Sequence, residues 1–192
     1  MKFKRTNTCG ELSKQDVKKE AVLCGWVHSR RDHGGIIFVD LRDRYGLTQI
    51  VFDPKHKKDT HAEAENLRRE FVIAIKGKVR PRGEGLENPN LKTGQIEVLV
   101  DEIEILSKAE TPTLEIDDRI DANEETRLKY RFLDLRRPKM QQHLQLRNNT
   151  SIAAREYLGK NSFLEVETPM LVRATPEGAR DYVVPSRLYA GK

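Results

Sequence analysis

A mainly β fold is what the sequence predicts: a five-stranded barrel with one helix, followed by the first part of an α+β domain. Three observations lead there. Between residues 20 and 106 lie five short runs of strand character, separated by glycine, proline and asparagine. One stretch in that region, His61 to Glu70 (HAEAENLRRE), has helical composition instead. Beyond Pro138 the apolar spacing becomes that of a long helix.

Taken in order, Ala21 to Val27 (AVLCGWV) is a near-continuous apolar run and reads as a buried strand. Arg30-Arg31-Asp32-His33-Gly34-Gly35 is expected to break it. Ile36 to Asp43 alternates, with Ile37, Val39 and Leu41 on one face and Ile36, Phe38, Asp40 and Arg42 on the other. Tyr45-Gly46 is a turn, Leu47 to Phe52 a third strand, and Asp53-Pro54 its end. In the helical insert, Ala62, Ala64 and Leu67 supply a narrow apolar stripe. Phe71 to Val79 is the fourth strand, and Ile96 to Ile105 the last. A breaker-rich loop (Pro81 to Gly85, Asn88-Pro89-Asn90) separates those two. Three strands, a helix, then two strands is the order of an OB-fold, a Greek-key barrel that binds oligonucleotides on its face and loops.

That domain is placed at 1–108. An acidic and polar connector from Thr111-Pro112 to Glu125 suggests a hinge or linker at 109–138, and a second domain begins at 139. Pro138 opens a helix running to about Lys160, since a proline in the first turn loses no hydrogen bond there. Phe163 to Glu167 is expected as a strand, ended by Thr168-Pro169.

The net charge of +5, from 35 basic and 30 acidic residues, is informative only where the basic residues cluster. No apolar run approaches the roughly 20 residues of a membrane span. No secretory h-region follows the basic N-terminus, so a cytoplasmic location is expected. Cys9 and Cys24 have no ligand spacing near them and read as reduced thiols, Cys24 buried in its strand. Walker, dinucleotide, zinc and nucleophile-elbow patterns are absent from the sequence.

The candidate binding residues lie on or beside the strands. Arg30 and Arg31 can grip phosphates or base edges through bidentate guanidinium bonds, or form a solvated charge cluster. Phe38 shares a polar strand face with Asp40 and Arg42. There it either stacks an unpaired base or caps the barrel end. Gln49 can pair with a base edge, and Glu97 can accept from an exocyclic amine, although strand residues of both types ordinarily face water. Arg82, in the loop after the fourth strand, can reach phosphate or base.

Four strings together resemble the bacterial-type aspartyl-tRNA synthetases, which are class II aminoacyl-tRNA synthetases. They are Cys24-Gly25-Trp26-Val27 with Arg30-Arg31-Asp32; Phe38 to Asp43 (FVDLRD); Arg127 to Pro138 (RLKYRFLDLRRP); and Thr175 to Tyr182 (TPEGARDY). The resemblance covers essentially the whole chain. It implies that the barrel binds the anticodon of tRNA(Asp), with Phe38 on the central base and Arg31, Gln49, Arg82 and Glu97 contacting anticodon bases or backbone. It also implies that the helix from Lys139 and the strand ending at Pro169 form motif 1, the homodimer interface. Glu177 would belong to the mobile loop that closes on bound aspartate. Ser162-Phe163 stands where the family usually has Gly-Phe. His33 occupies a position where histidine accompanies charging of tRNA(Asn) as well, and the loop containing Gly85 leans the same way.

The family's reaction joins aspartate to ATP as an adenylate with help from Mg2+, then transfers it to tRNA. The segments carrying motifs 2 and 3 lie beyond Lys192 in the family. The expectation is therefore an N-terminal fragment, inactive in aminoacylation and binding no cofactor itself, with ATP and Mg2+ belonging to the complete enzyme. The rival readings are a stand-alone OB module for single-stranded nucleic acid and a non-catalytic paralogue that dimerises through motif 1.

Overall fold

The computed structural model describes residues 2–119, 121–173, 182 and 184–189. They fall into two compact units, 1–141 and 142–192. Residues 109–138, expected as a hinge, lie within the first.

The first strand, β1 (Glu20–His33), outruns the apolar segment that predicts it. Leu23 and Val27 turn inward and are fully buried, whereas Cys24 and Trp26 alternate outward and are half-buried. The expectation of a buried Cys24 is thus corrected; Cys9 is the buried thiol. The strand does not end at Arg30 but continues to His33, which pairs with Ile36 of β2 (Ile36–Arg42). Gly34 and Gly35, at φ +62 and +80, make the two-residue turn, a geometry open mainly to glycine and asparagine. A register shift between Val27 and Ser29 bends β1 so that it can serve both neighbours.

Along β2, Ile37, Val39 and Leu41 are completely buried, and Phe38 and Asp40 face out. β3 (Leu47–Phe52) occupies the predicted residues. α1 (Lys58–Glu65) begins and ends earlier than expected. Its buried stripe is Thr60 and Ala64, continued by Leu67; Ala62 is exposed, because it sits two residues out of phase with that stripe. Residues after Glu65 leave the helix, and Glu70 takes a left-handed φ of +64 as its amide bonds to Val27 O. β4 (Val72–Pro81) and β5 (Ile96–Ser107) follow. β5 pairs in parallel with β3 and antiparallel with β4, and β4 returns to β1. The barrel closes in the order β1-β2-β3-β5-β4, which leaves no free sheet edge.

Within the same unit, Leu114, Ile116 and Leu133 form a second small core. α2 (Glu124–Lys129) is capped by the Asn123 side chain, which accepts from Thr126 N at 2.9 Å. α3 (Arg131–Asp134) follows, then α4 (Pro138–Lys160). The basic string around α3 folds onto one carboxylate. Asp134 is fully buried and accepts from Arg127 at 3.0 Å, Arg131 at 2.6 Å and Arg137 at 3.4 Å. Burial alone would raise its pKa, but the Arg127 hydrogen bond and the three guanidinium charges hold it below the usual carboxylate range. Asp118 accepts from Lys139 N at 2.8 Å and so caps the start of α4.

α4 begins in the first unit, continues into the second, and buries no side chain. Residues 163–169 form no strand, contrary to expectation. A strand is defined by its ladder partner, and Phe163, Leu164 and Val166 stand 66%, 89% and 74% exposed with none. Pro169 is exposed in the same segment. Glu177 lies outside the described residues.

Candidate nucleic-acid interface

The outward positions of neighbouring strands bring most of the predicted residues together. Cross-strand pairing places Phe38 opposite Arg31 on one side and Val51 on the other. Two residues along, Asp40 sits between Ser29 and Gln49. The parallel register of β3 and β5 then brings Glu97 beside Gln49, and Glu97 pairs with Arg80 on β4. The result is a polar belt across the barrel wall, with the half-buried Phe38 ring at its edge.

Hydrogen bonds run along this belt without a gap. Ser29 Oγ donates to Asp40 at 2.6 Å. Arg31 Nη2 donates to both Asp40 oxygens, at 3.0 and 3.1 Å, and to Gln49 Oε1 at 3.3 Å. Gln49 Nε2 donates to Glu97 Oε2 at 2.8 Å, and Arg80 Nε donates to Glu97 Oε1 at 2.8 Å. Gln49 and Glu97 are therefore buried rather than facing water. Each has its amide or carboxylate held in a fixed orientation by a neighbour. Fixed donors and acceptors select a base better than free ones, because less ordering is left to do on binding.

Arg82 completes the set. Its Nε donates to Ile96 O at 3.1 Å, while its Nη2 is buried without a hydrogen-bond partner. Burial lowers its pKa from the ordinary guanidinium value; Glu97 and Asp40 pull it upward, and Arg31 lowers it further. A buried donor left unmade costs about 1–3 kcal/mol, so an incoming phosphate or base oxygen would meet a group already short of an acceptor. His33 and Gly85 stand apart from the network. His33 is exposed at the end of β1, and Gly85 is exposed with φ +76 in the loop between β4 and β5.

Asp40, Arg80 and Ser29 are belt members that sequence reasoning did not single out as binding residues. For Arg80 there was a signal: it lies two residues before Arg82, hence on the same strand face. For Ser29 and Asp40 the signal is only their cross-strand pairing, which needs the register.

Comparison with known proteins bears on the fold. Residues 21–106 match a family model described as an OB-fold nucleic acid binding domain, and residues 123–192 one for class II tRNA synthetases (D, K and N). The aspartate–tRNA(Asp/Asn) ligase of Oleidesulfovibrio alaskensis is 54% identical over 98% of this chain, which covers 31% of that protein. The ligase of the same name from Protochlamydia amoebophila is 54% identical over 98% of this chain and 32% of its own length. This chain belongs to the bacterial-type aspartyl-tRNA synthetase family. It corresponds to the N-terminal portion and spans about a third of the length of the curated relatives it matches. Among solved structures, the asparaginyl-tRNA synthetase of Pyrococcus horikoshii is similar, with TM-score 0.74 and 30% identity over 86% of this chain and 38% of that one. An aspartyl-tRNA synthetase from Leishmania major shares the fold, with TM-score 0.78 at 21% identity over 88% of this chain and 36% of that one.

Aspartyl-tRNA synthetases, like other class II enzymes, use ATP and Mg2+. Among the described residues no group of three or more His, Cys, Asp or Glu side chains is placed to hold a metal ion. The residues described do not fit that centre. Among the same residues, no helix is long and apolar enough to cross a membrane.

Proposed function

We propose that the barrel binds the anticodon of tRNA(Asp), as the anticodon-reading part of an aspartate–tRNA ligase. The observation that carries this reading is the placement of Phe38. A half-buried, outward-facing aromatic ring opposite an arginine, beside a belt of oriented amide and carboxylate groups, offers an unpaired base both a stacking face and edge contacts. Arg31, Gln49, Arg82 and Glu97 are the edge and backbone contacts of this reading. In the full-length ligase the second unit would contribute to a homodimer around Pro169, and Glu177 would approach bound aspartate. The reaction of that ligase would be ATP-dependent aspartylation of tRNA in the cytoplasm.

Charging of tRNA(Asn) as a second substrate is part of the same proposal. The relatives named for both tRNAs support it, as does exposed His33, whose imidazole can donate or accept at a third anticodon base. The test of base stacking is Phe38→Ala. It is expected to weaken a stem-loop bearing the Asp triplet by about 1–3 kcal/mol while leaving the unfolding temperature nearly unchanged. Unaltered affinity would overturn the stacking role.

A further inference from the structure

A cleft of about 520 Å³ lies on the first unit, next to the belt but facing away from it. Its wall on the barrel side comes from His28 to Arg30 and from Leu67 to Glu70; its other wall comes from residues 109–116. Three guanidinium groups line it: Arg30, Arg68 and Arg69. The two carboxylates there are already engaged. Glu70 accepts both its bonds from Arg42, at 2.9 and 2.8 Å, and Glu115 pairs with Arg69 at 3.0 Å. Arg30 is held by donation from its Nε to Ala64 O at 3.0 Å, which leaves its terminal nitrogens available. Among the described residues neither Arg30 nor Arg68 has a carboxylate partner. The cleft therefore presents a net excess of bidentate-capable cationic donors, Arg30 held in place and Arg68 exposed.

Its position gives that charge a specific occupant. Ser29 lines the cleft, yet its hydroxyl donates to Asp40 in the belt, so the two surfaces share one wall. Arg30 and Arg31 are successive residues of β1, and successive strand side chains point to opposite faces. Arg31 stands opposite Phe38, and Arg30 opposite buried Val39 at the cleft side. One strand thus carries a base-side arginine and, about 3.4 Å along the backbone, a cleft-side arginine. We infer that the Arg30–Arg68 cleft binds phosphates of the RNA backbone flanking the bases read on β2 and β3. The inference rests on the barrel's binding of RNA and adds a second, sequence-blind contact to it. Guanidinium forks match phosphate oxygens in pairs, and such contacts position a nucleic acid without reading its bases.

The test is the salt dependence of binding by the full 192-residue chain to hairpins carrying the Asp triplet or an unrelated triplet. Each phosphate contact contributes about 0.7–0.9 to the slope of log K against log salt. Arg30→Gln/Arg68→Gln is expected to lower that slope by about 1.4–1.8, and to weaken both hairpins by the same factor. Arg68→Gln alone, at an exposed side chain, should lower it by about half as much with no change in unfolding temperature. Phe38→Ala should weaken both hairpins and leave the slope unchanged, because a stacking ring neutralises no phosphate. An unchanged slope in both arginine variants overturns the inference. So does inorganic phosphate that binds the cleft arginines while the RNA slope stays the same, because the site would then serve a small anion. If the wild type shows no triplet preference but the arginine variants still lower the slope, the cleft contact stands and anticodon reading fails.

Discussion

Glu97→Ala is the perturbation whose consequences can be followed atom by atom. Glu97 is 7% exposed, and its two oxygens each serve one donor, Gln49 Nε2 and Arg80 Nε, both at 2.8 Å. Removing the carboxylate strands both donors, but unequally. The Arg80 side chain is 39% exposed and can turn to water, so its loss is small. Gln49 is 8% exposed on a central strand and has no such escape. Its Nε2 then bears most of the cost of an unmade buried hydrogen bond, about 1–3 kcal/mol. For a unit of this size, 1 kcal/mol moves the unfolding midpoint by about 2–4 °C, so a decrease of roughly 4–8 °C is expected for a loss near 2 kcal/mol. Thermal unfolding followed by circular dichroism reads this directly. Binding of an Asp-triplet stem-loop should fall alongside, because Gln49 loses the partner that orients its amide. The variant Gln49→Leu/Glu97→Leu should recover part of the stability and none of the binding, since replacing both partners by apolar groups removes the unmade bond. A Glu97→Ala chain that unfolds at the wild-type temperature would refute the belt as an energetic unit.

Other expectations follow from neighbouring groups. His33→Leu should enlarge the preference for the Asp over the Asn triplet, and an unchanged ratio of the two dissociation constants would remove His33 from specificity. His28 accepts at Nδ1 from Arg42 at 3.0 Å, and burial, then the Arg42 charge, lowers its pKa below the ordinary histidine value. The folded chain therefore binds this proton less readily than the unfolded chain. Its contribution to stability is complete above about pH 6.5 and declines as pH falls below it, by at most about 1.4 kcal/mol per unit. His28→Gln should flatten that part of a stability–pH curve measured by urea unfolding. Arg42→Met leaves Glu70, 10% exposed, without its bidentate partner, and should cost about 3 kcal/mol in the same experiment.

Much of the barrel was legible in local pattern, and the exceptions share a cause. Alternation in β2 fixed which residues turn inward, and Leu47–Phe52 was bounded by turn residues on both sides. The outer half of β1 was not legible, because Arg30 to His33 is polar and its pairing depends on a glycine turn that also reads as a break. Glu97 and Gln49 have the composition of solvent-facing strand residues. They are buried because partners 17 and 48 positions away in sequence reach them across β4 and β3. Arg42 is similar: its burial needs Glu70, whose left-handed turn no local pattern announces. Phe38, by contrast, was recognisable from its face alone, since its strand neighbours Ile37 and Val39 occupy the interior.

The most direct test of anticodon reading is the affinity of the chain for a panel of stem-loops of identical length, differing only in the three anticodon bases, at one fixed salt concentration. Tightest binding by the Asp triplet, with the Asn triplet next and unrelated triplets weaker, is the predicted order. Equal affinity across the panel would contradict the account.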